Sequence, residues 1–273
     1  MSAKKFGMIC GIMERGFFDS GDVRISYLAQ GTGETLVLLH GWSGDAARQW
    51  GGELFEGAPN IISALADSFR VIAPDARGHG QSDKPVTPED HGWKTIEDIV
   101  CLLDHLGVHS AHVMAYSMAG ITGLALGAKY PQRIKTLLMG DSLGFPEGVQ
   151  IEYARSRAEG LRQGLSFGET LNLESPLSEE MIVQVDAIMG PVRDREALIA
   201  NAEGSFALEV KEKQLQNWQT KTVFLAAKHG LGDSGLWLSD KIGGTYDIVP
   251  NTNHMSLFLE PIFCEKIKEY CLQ

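Results

Sequence analysis

Short, continuous apolar runs recur along the chain, each closed by turn residues: Leu36–Leu39, Val71–Ala73, Ala111–Ala115, Leu137–Met139, Val223–Ala227 and Tyr246–Val249. Runs that are apolar at consecutive rather than alternate positions fit strands buried on both faces of a parallel sheet. Between them the spacing turns helical. Ile61, Ile62, Leu65 and Phe69 form one stripe, and Ile96, Ile99, Val100, Leu103 and Leu106 form another, predicting helices over Ile61–Phe69 and Thr95–Leu106. A third predicted helix, Met118–Tyr130, is stopped by Pro131, whose ring cannot continue it. Strand and helix in alternation predict an α/β sheet with right-handed crossovers. Arg24–Ala29 reads as a strand ending at Gly31-Thr32-Gly33, part of an antiparallel hairpin at the edge of that sheet.

The rhythm breaks between Asp141 and Trp218, where apolar spacing is helical throughout. Ser178 is placed to cap a helix carrying Glu179 and Glu180 in its first turn. Met181, Ile182, Val185 and Ile188 form its apolar face, and Gly190-Pro191 ends it. We expect a helical insertion over 142–218, laid as a cap over a ligand cleft, with 1–141 and 219–273 forming the core. Aromatic and aliphatic residues of this segment, among them Tyr153, Leu161, Phe167 and Met189, point to a small, largely apolar substrate.

Composition narrows the classes. The chain has 273 residues, 44% hydrophobic and 22% charged, enough to bury a core without disulfide or metal staples. A net charge of −11 argues against a general binder of the phosphate backbone, so nucleic acid is not an expected partner. The four cysteines, Cys10, Cys101, Cys264 and Cys271, show no C-x-x-C spacing and read as free thiols in a reducing compartment. Lys4-Lys5 followed by Phe6–Met13 superficially resembles a signal peptide. That run is interrupted by glycine and followed by Glu14-Arg15 without a small-residue cleavage site. No run approaches the roughly 20 apolar residues of a membrane span. The expectation is a cytoplasmic protein with no membrane partner.

Ligands of open α/β sheets bind beyond the carboxyl ends of the strands, so the residues just past each apolar run matter most. These segments are His40-Gly41-Trp42-Ser43-Gly44, Pro74-Asp75-Ala76-Arg77-Gly78-His79-Gly80-Gln81-Ser82-Asp83, Tyr116-Ser117-Met118-Ala119-Gly120, and Asn251-Thr252-Asn253-His254. A serine hydroxyl is a weak nucleophile at neutral pH and needs both a base and donors for the oxyanion. The imidazole of His254, with an ordinary pKa of about 6.5, suits taking the Ser117 proton and returning it. His105, His109 and His112 straddle a turn at Gly107 and share no helical face for a metal, and no H-E-x-x-H occurs. A metal-free, cofactor-free site is expected.

In this order and over most of the chain, the four segments resemble the α/β-hydrolase family. The resemblance implies a mostly parallel central sheet flanked by helices, with a helical cap inserted before the last strands. It implies Ser117 as nucleophile, His254 as general base, and the backbone N–H groups of Trp42 and Met118 as the oxyanion hole. His40 would shape the oxyanion loop, and Asp75 is assigned to loop structure. The family's elbow, G-x-S-x-G, is here Ala115-Tyr116-Ser117-Met118-Ala119, so the strict pattern fails while the demand for small flanking residues is met. At the family's usual acid position, beyond Val223–Ala227, stands Gly230. Asp233, reached by a slightly longer loop, is the favoured acid, and Asp141, just after Leu137–Met139, is the alternative. A serine at 117 speaks against the dehalogenase and epoxide hydrolase branches, whose nucleophile is Asp. The implied activity is serine hydrolysis of a carboxylic ester, or of a lactone, thioester or activated-ketone C–C bond. The alternatives are a cofactor-free perhydrolase or haloperoxidase-like enzyme, and a ligand-binding relative with little turnover.

Overall fold

The structure, a computed structural model, describes residues 11–142, 149–173, 177–230 and 233–273, with only the backbone of 233 and 234. Eight strands form one sheet: β1 (Glu14–Ser20), β2 (Val23–Gln30), β3 (Glu34–Leu39), β4 (Phe69–Pro74), β5 (Ala111–Tyr116), β6 (Ile134–Gly140), β7 (Thr222–His229) and β8 (Thr245–Asn253). Their spatial order is β1-β2-β4-β3-β5-β6-β7-β8. β2 pairs antiparallel with β1 and β4, and all pairs from β4 onward are parallel. Every predicted apolar run lies in a strand. β5 is buried at all six positions, as expected of a strand covered on both faces.

Two expectations at the sheet edge are corrected. The hairpin turns at Gly21-Asp22, between β1 and β2, and Gly31–Gly33 instead leads β2 toward β3 in the sheet interior. β1 offered no run because its side chains alternate between half-exposed and buried. The helix expected over Ile61–Phe69 closes at Leu65, and Phe69 begins β4 with its ring fully buried.

Trp93–His105 and Ala119–Lys129 form helices close to the predicted bounds. The described part of the segment between β6 and β7 contains no strand. Its longer helices are Val149–Arg162, Glu179–Met189 and Arg195–Gly204, with Phe167–Asn172 a short one between the first two. Ser178 does cap its helix, accepting from Met181 N–H at 3.2 Å. The face assigned to that helix is only partly used: Val185 and Met189 pack toward Trp42, while Met181 is 48% exposed. The end of the segment behaves as core, since Leu208 and Leu215 pack in one cluster with Ile96 and Leu124.

Register positions the chemistry. Leu39 pairs with Ala115, Tyr116 with Gly140, and Gly140 with Leu225. The residues immediately after β3, β5 and β6 therefore emerge side by side at one sheet edge: His40-Gly41, Ser117 and Asp141. Among the described residues no helix is long and apolar enough to cross a membrane.

Candidate active site

Ser117 sits between β5 and the helix Ala119–Lys129, with φ at +56°. That left-handed backbone is costly for a residue with a Cβ and turns the side chain out of the sheet edge. Its amide is secured by donation to Gly140 O at 3.0 Å. Its Oγ lies 3.0 Å from His254 Nε2, and His254 Nδ1 lies 2.6 Å from Asp141 Oδ2. With Nδ1–H donating to the carboxylate, Nε2 faces the serine hydroxyl as an acceptor.

The carboxylate at His254 is thus that of Asp141, the alternative in the sequence reading, and the preference for Asp233 is corrected. Asp233 opens the helix Asp233–Ile242, and its side chain lies outside the described residues. The reason for Asp141 is strand register. Asp141 follows β6 directly, its N–H donates to Leu225 O at 2.8 Å, and its Oδ1 accepts from Ala227 N–H at 3.1 Å. No extended loop is needed to reach the imidazole.

Trp42 and Met118 flank Ser117 as expected of oxyanion donors, and neither backbone N–H has an acceptor among the described residues. The loop comes close because position 41 is glycine: a Cβ there would stand 3.3 Å from Ser117 Cβ and 3.7 Å from Oγ. Gly41 N–H donates to Gln49 Oε1 at 2.8 Å. His40 Nε2 accepts from Ala76 N–H at 3.0 Å, so Nδ1 carries the proton donated to Gly41 O at 2.8 Å. Asp75 is a buried hub, accepting from Ala46 N–H, Gln81 N–H and Arg15. Both residues shape loops, as expected.

Tyr116 was missed. Its hydroxyl donates to His254 O at 2.6 Å, its ring packs against Trp50, Phe258 and Phe263, and burial holds its pKa well above the ordinary value. Its position beside Ser117 was a visible signal, but a backbone carbonyl as partner leaves none. Behind the oxyanion loop, His40, His79, Thr95, Met118 and Asn201 line a cavity of about 50 Å³. His79 Nε2, Thr95 Oγ1 and Asn201 Oδ1 are buried there without a partner among the described residues. Burial pushes the His79 imidazole down to about 3. Trp42 is covered by Leu161, Phe167 and Leu198 of the insertion, with the Arg157 guanidinium 5.1 Å from its ring. Among the described residues no three His, Cys, Asp or Glu side chains are grouped to hold a metal.

Residues 34–236 match the family model described as alpha/beta hydrolase fold, and the chain belongs to that family. Over 253 residues, 82% of this chain and 86% of the relative, it is 29% identical to a 2-hydroxy-6-oxo-6-phenylhexa-2,4-dienoate hydrolase of Comamonas testosteroni. A 2-hydroxy-6-oxononadienedioate/2-hydroxy-6-oxononatrienedioate hydrolase of Paraburkholderia phymatum is 34% identical over 162 residues, 58% of this chain and 53% of that protein. Among solved structures, a 2-hydroxy-6-oxo-6-phenylhexa-2,4-dienoate hydrolase from Rhodococcus sp. strain RHA1 superposes with a TM-score of 0.72 at 22% identity, covering 96% of this chain and 99% of that one. The enol-lactonase from Burkholderia xenovorans LB400 gives 0.72 at 20% identity, covering 94% and 100%. The family and fold expected from the sequence stand, and the protein is an enzyme of the hydrolase type.

Proposed function

We infer that the protein is a serine hydrolase in which Ser117 is the nucleophile, His254 the general base and Asp141 the acid. Trp42 and Met118 N–H serve as the oxyanion donors. The observation that carries this reading is the hydrogen-bonded chain from Ser117 Oγ through His254 to Asp141, at 3.0 and 2.6 Å. As Oγ bonds to a substrate carbonyl carbon, Nε2 takes its proton and the new oxyanion lies against the two N–H groups. The bond to the leaving atom then breaks, that atom receives the proton from His254, and an acyl-enzyme remains. Water repeats the sequence, releasing a carboxylic acid and restoring Ser117.

The substrate class we favour is an activated carbonyl compound of the 2-hydroxy-6-oxo-dienoate kind, cleaved at its C–C bond, with lactones and simple esters as secondary substrates. The relative that spans most of the chain bears such a name, which supports the order. The helices between β6 and β7 act in this reading as the cap that encloses the substrate over Trp42. A non-catalytic role loses its one support, the missing carboxylate at 230, because Asp141 occupies that place. The test is turnover of a phenyl-substituted oxo-dienoate, an enol-lactone and a nitrophenyl ester by wild type and Ser117→Ala. We expect at least one substrate to be turned over, with Ser117→Ala lower by about a thousandfold or more. A Ser117→Ala protein as active as wild type overturns the reading.

A further inference from the structure

The Asp141 carboxylate is fully engaged: Oδ1 accepts from Ala227 N–H, Oδ2 meets His254 Nδ1, and the side chain is 1% exposed. Against it lies Gly230, the residue after β7. A Cβ on residue 230 would stand 2.5 Å from Asp141 Cγ and closer still to both carboxylate oxygens. Real Cβ atoms never approach so near, and the carboxylate cannot retreat without losing one of its two bonds. Gly230 is exposed and its φ is outside the left-handed region, so backbone conformation does not demand glycine there. The demand is for space.

The same geometry has a second side. A carboxylate oxygen lies about 2.4 Å from its own Cβ, by ordinary C–C and C–O lengths. A Cβ at 230 is within that reach of the points where the Asp141 oxygens now sit. An aspartate at 230 could therefore present an oxygen to His254 Nδ1, but only if residue 141 gave up the place. We propose that Gly230 is a positioning residue that assigns the acid's role to Asp141, and that positions 141 and 230 are two mutually exclusive addresses for one carboxylate. This inference rests on the hydrolase reading of the site.

The test uses the rate at which a fluorophosphonate labels Ser117, which reports nucleophile activation without knowledge of the substrate. It is read across pH in the full chain, with circular dichroism to check folding. Asp141→Ala should slow labelling by about a thousandfold. Gly230→Ala should slow it by at least about tenfold and move the pH midpoint of labelling downward, since an imidazole that loses its carboxylate binds its proton less tightly. In the Asp141→Ala background, Gly230→Ala should change the rate by less than about twofold, because no carboxylate is left to displace. Asp141→Ala/Gly230→Asp should recover at least about tenfold over Asp141→Ala, and it decides the matter even if Gly230→Ala folds poorly. A serine in wild type that resists labelling overturns the hydrolase reading and this inference together. If Asp141→Ala slows labelling while Gly230→Ala costs nothing, or costs the same in both backgrounds, only the role of Gly230 is overturned. Absence of recovery in the double variant overturns the second address.

Discussion

Asp141 carries two duties that separate under mutation. It orients the His254 imidazole and, through Oδ1, ties the end of β7 to the end of β6. Asp141→Asn keeps the shape but removes the charge that stabilises the imidazolium, and kcat should fall by about 10³ to 10⁴. Asp233→Asn should leave kcat within about twofold, and steady-state kinetics of the pair checks the assignment. His79 makes a different prediction. Its imidazole is buried, neutral in the fold, and pushed down to about 3, against about 6.5 when unfolded. Between those values the unfolded chain binds the extra proton, so stability is full above about pH 6.5 and is lost progressively as pH falls toward 3. Chemical denaturation at pH 7 and pH 4.5 should show His79→Gln losing about 2–3 kcal/mol less than wild type over that interval.

The insertion holds to the sheet at few points, and Trp42 is the main one, with the Phe167 ring edge-on at 5.8 Å. Phe167→Ala should cost about 3 kcal/mol locally. Hydrogen exchange should quicken through residues 149–172 and 195–204 while β3, β5 and β6 keep their protection. Equal loss across the sheet would mean that insertion and core open as one unit. These contacts also explain what could be foreseen. A doubly buried parallel strand writes itself as an unbroken apolar run, and the loop at its carboxyl end carries the chemistry, so β3, β5 and β8 led directly to His40, Ser117 and His254. β1, half-exposed at the edge, wrote no such run. The acid was harder because β6 and β7 are neighbours whose ends converge on one imidazole. Which one supplies it depends on register and on the missing side chain at 230, and neither is a pattern along the chain. The clamp from Tyr116 to a backbone carbonyl is equally silent.

The protein as a whole is acidic, with a net charge of −11. A field of that sign repels an anionic dienoate at long range and leaves a neutral ester untouched. Raising ionic strength from about 10 to about 150 mM shortens the screening length to roughly 8 Å, so kcat/KM for the anion should rise while that for a nitrophenyl ester stays level. A fall for the anion would instead reveal a positive field local to the cleft, with Arg157 over Trp42 as its nearest source.

The hydroxyl at 117, the carboxylate at 141 and the loop at 41 and 42 are all translated well before the imidazole at 254. That imidazole is held in place by Tyr116 through its carbonyl, and Tyr116 is packed in turn against Phe258 and Phe263. A growing polypeptide therefore carries an inert serine for more than half of its synthesis. Reactivity arrives only when the final strand and helix dock, and this spares the cell a half-made enzyme that could acylate itself.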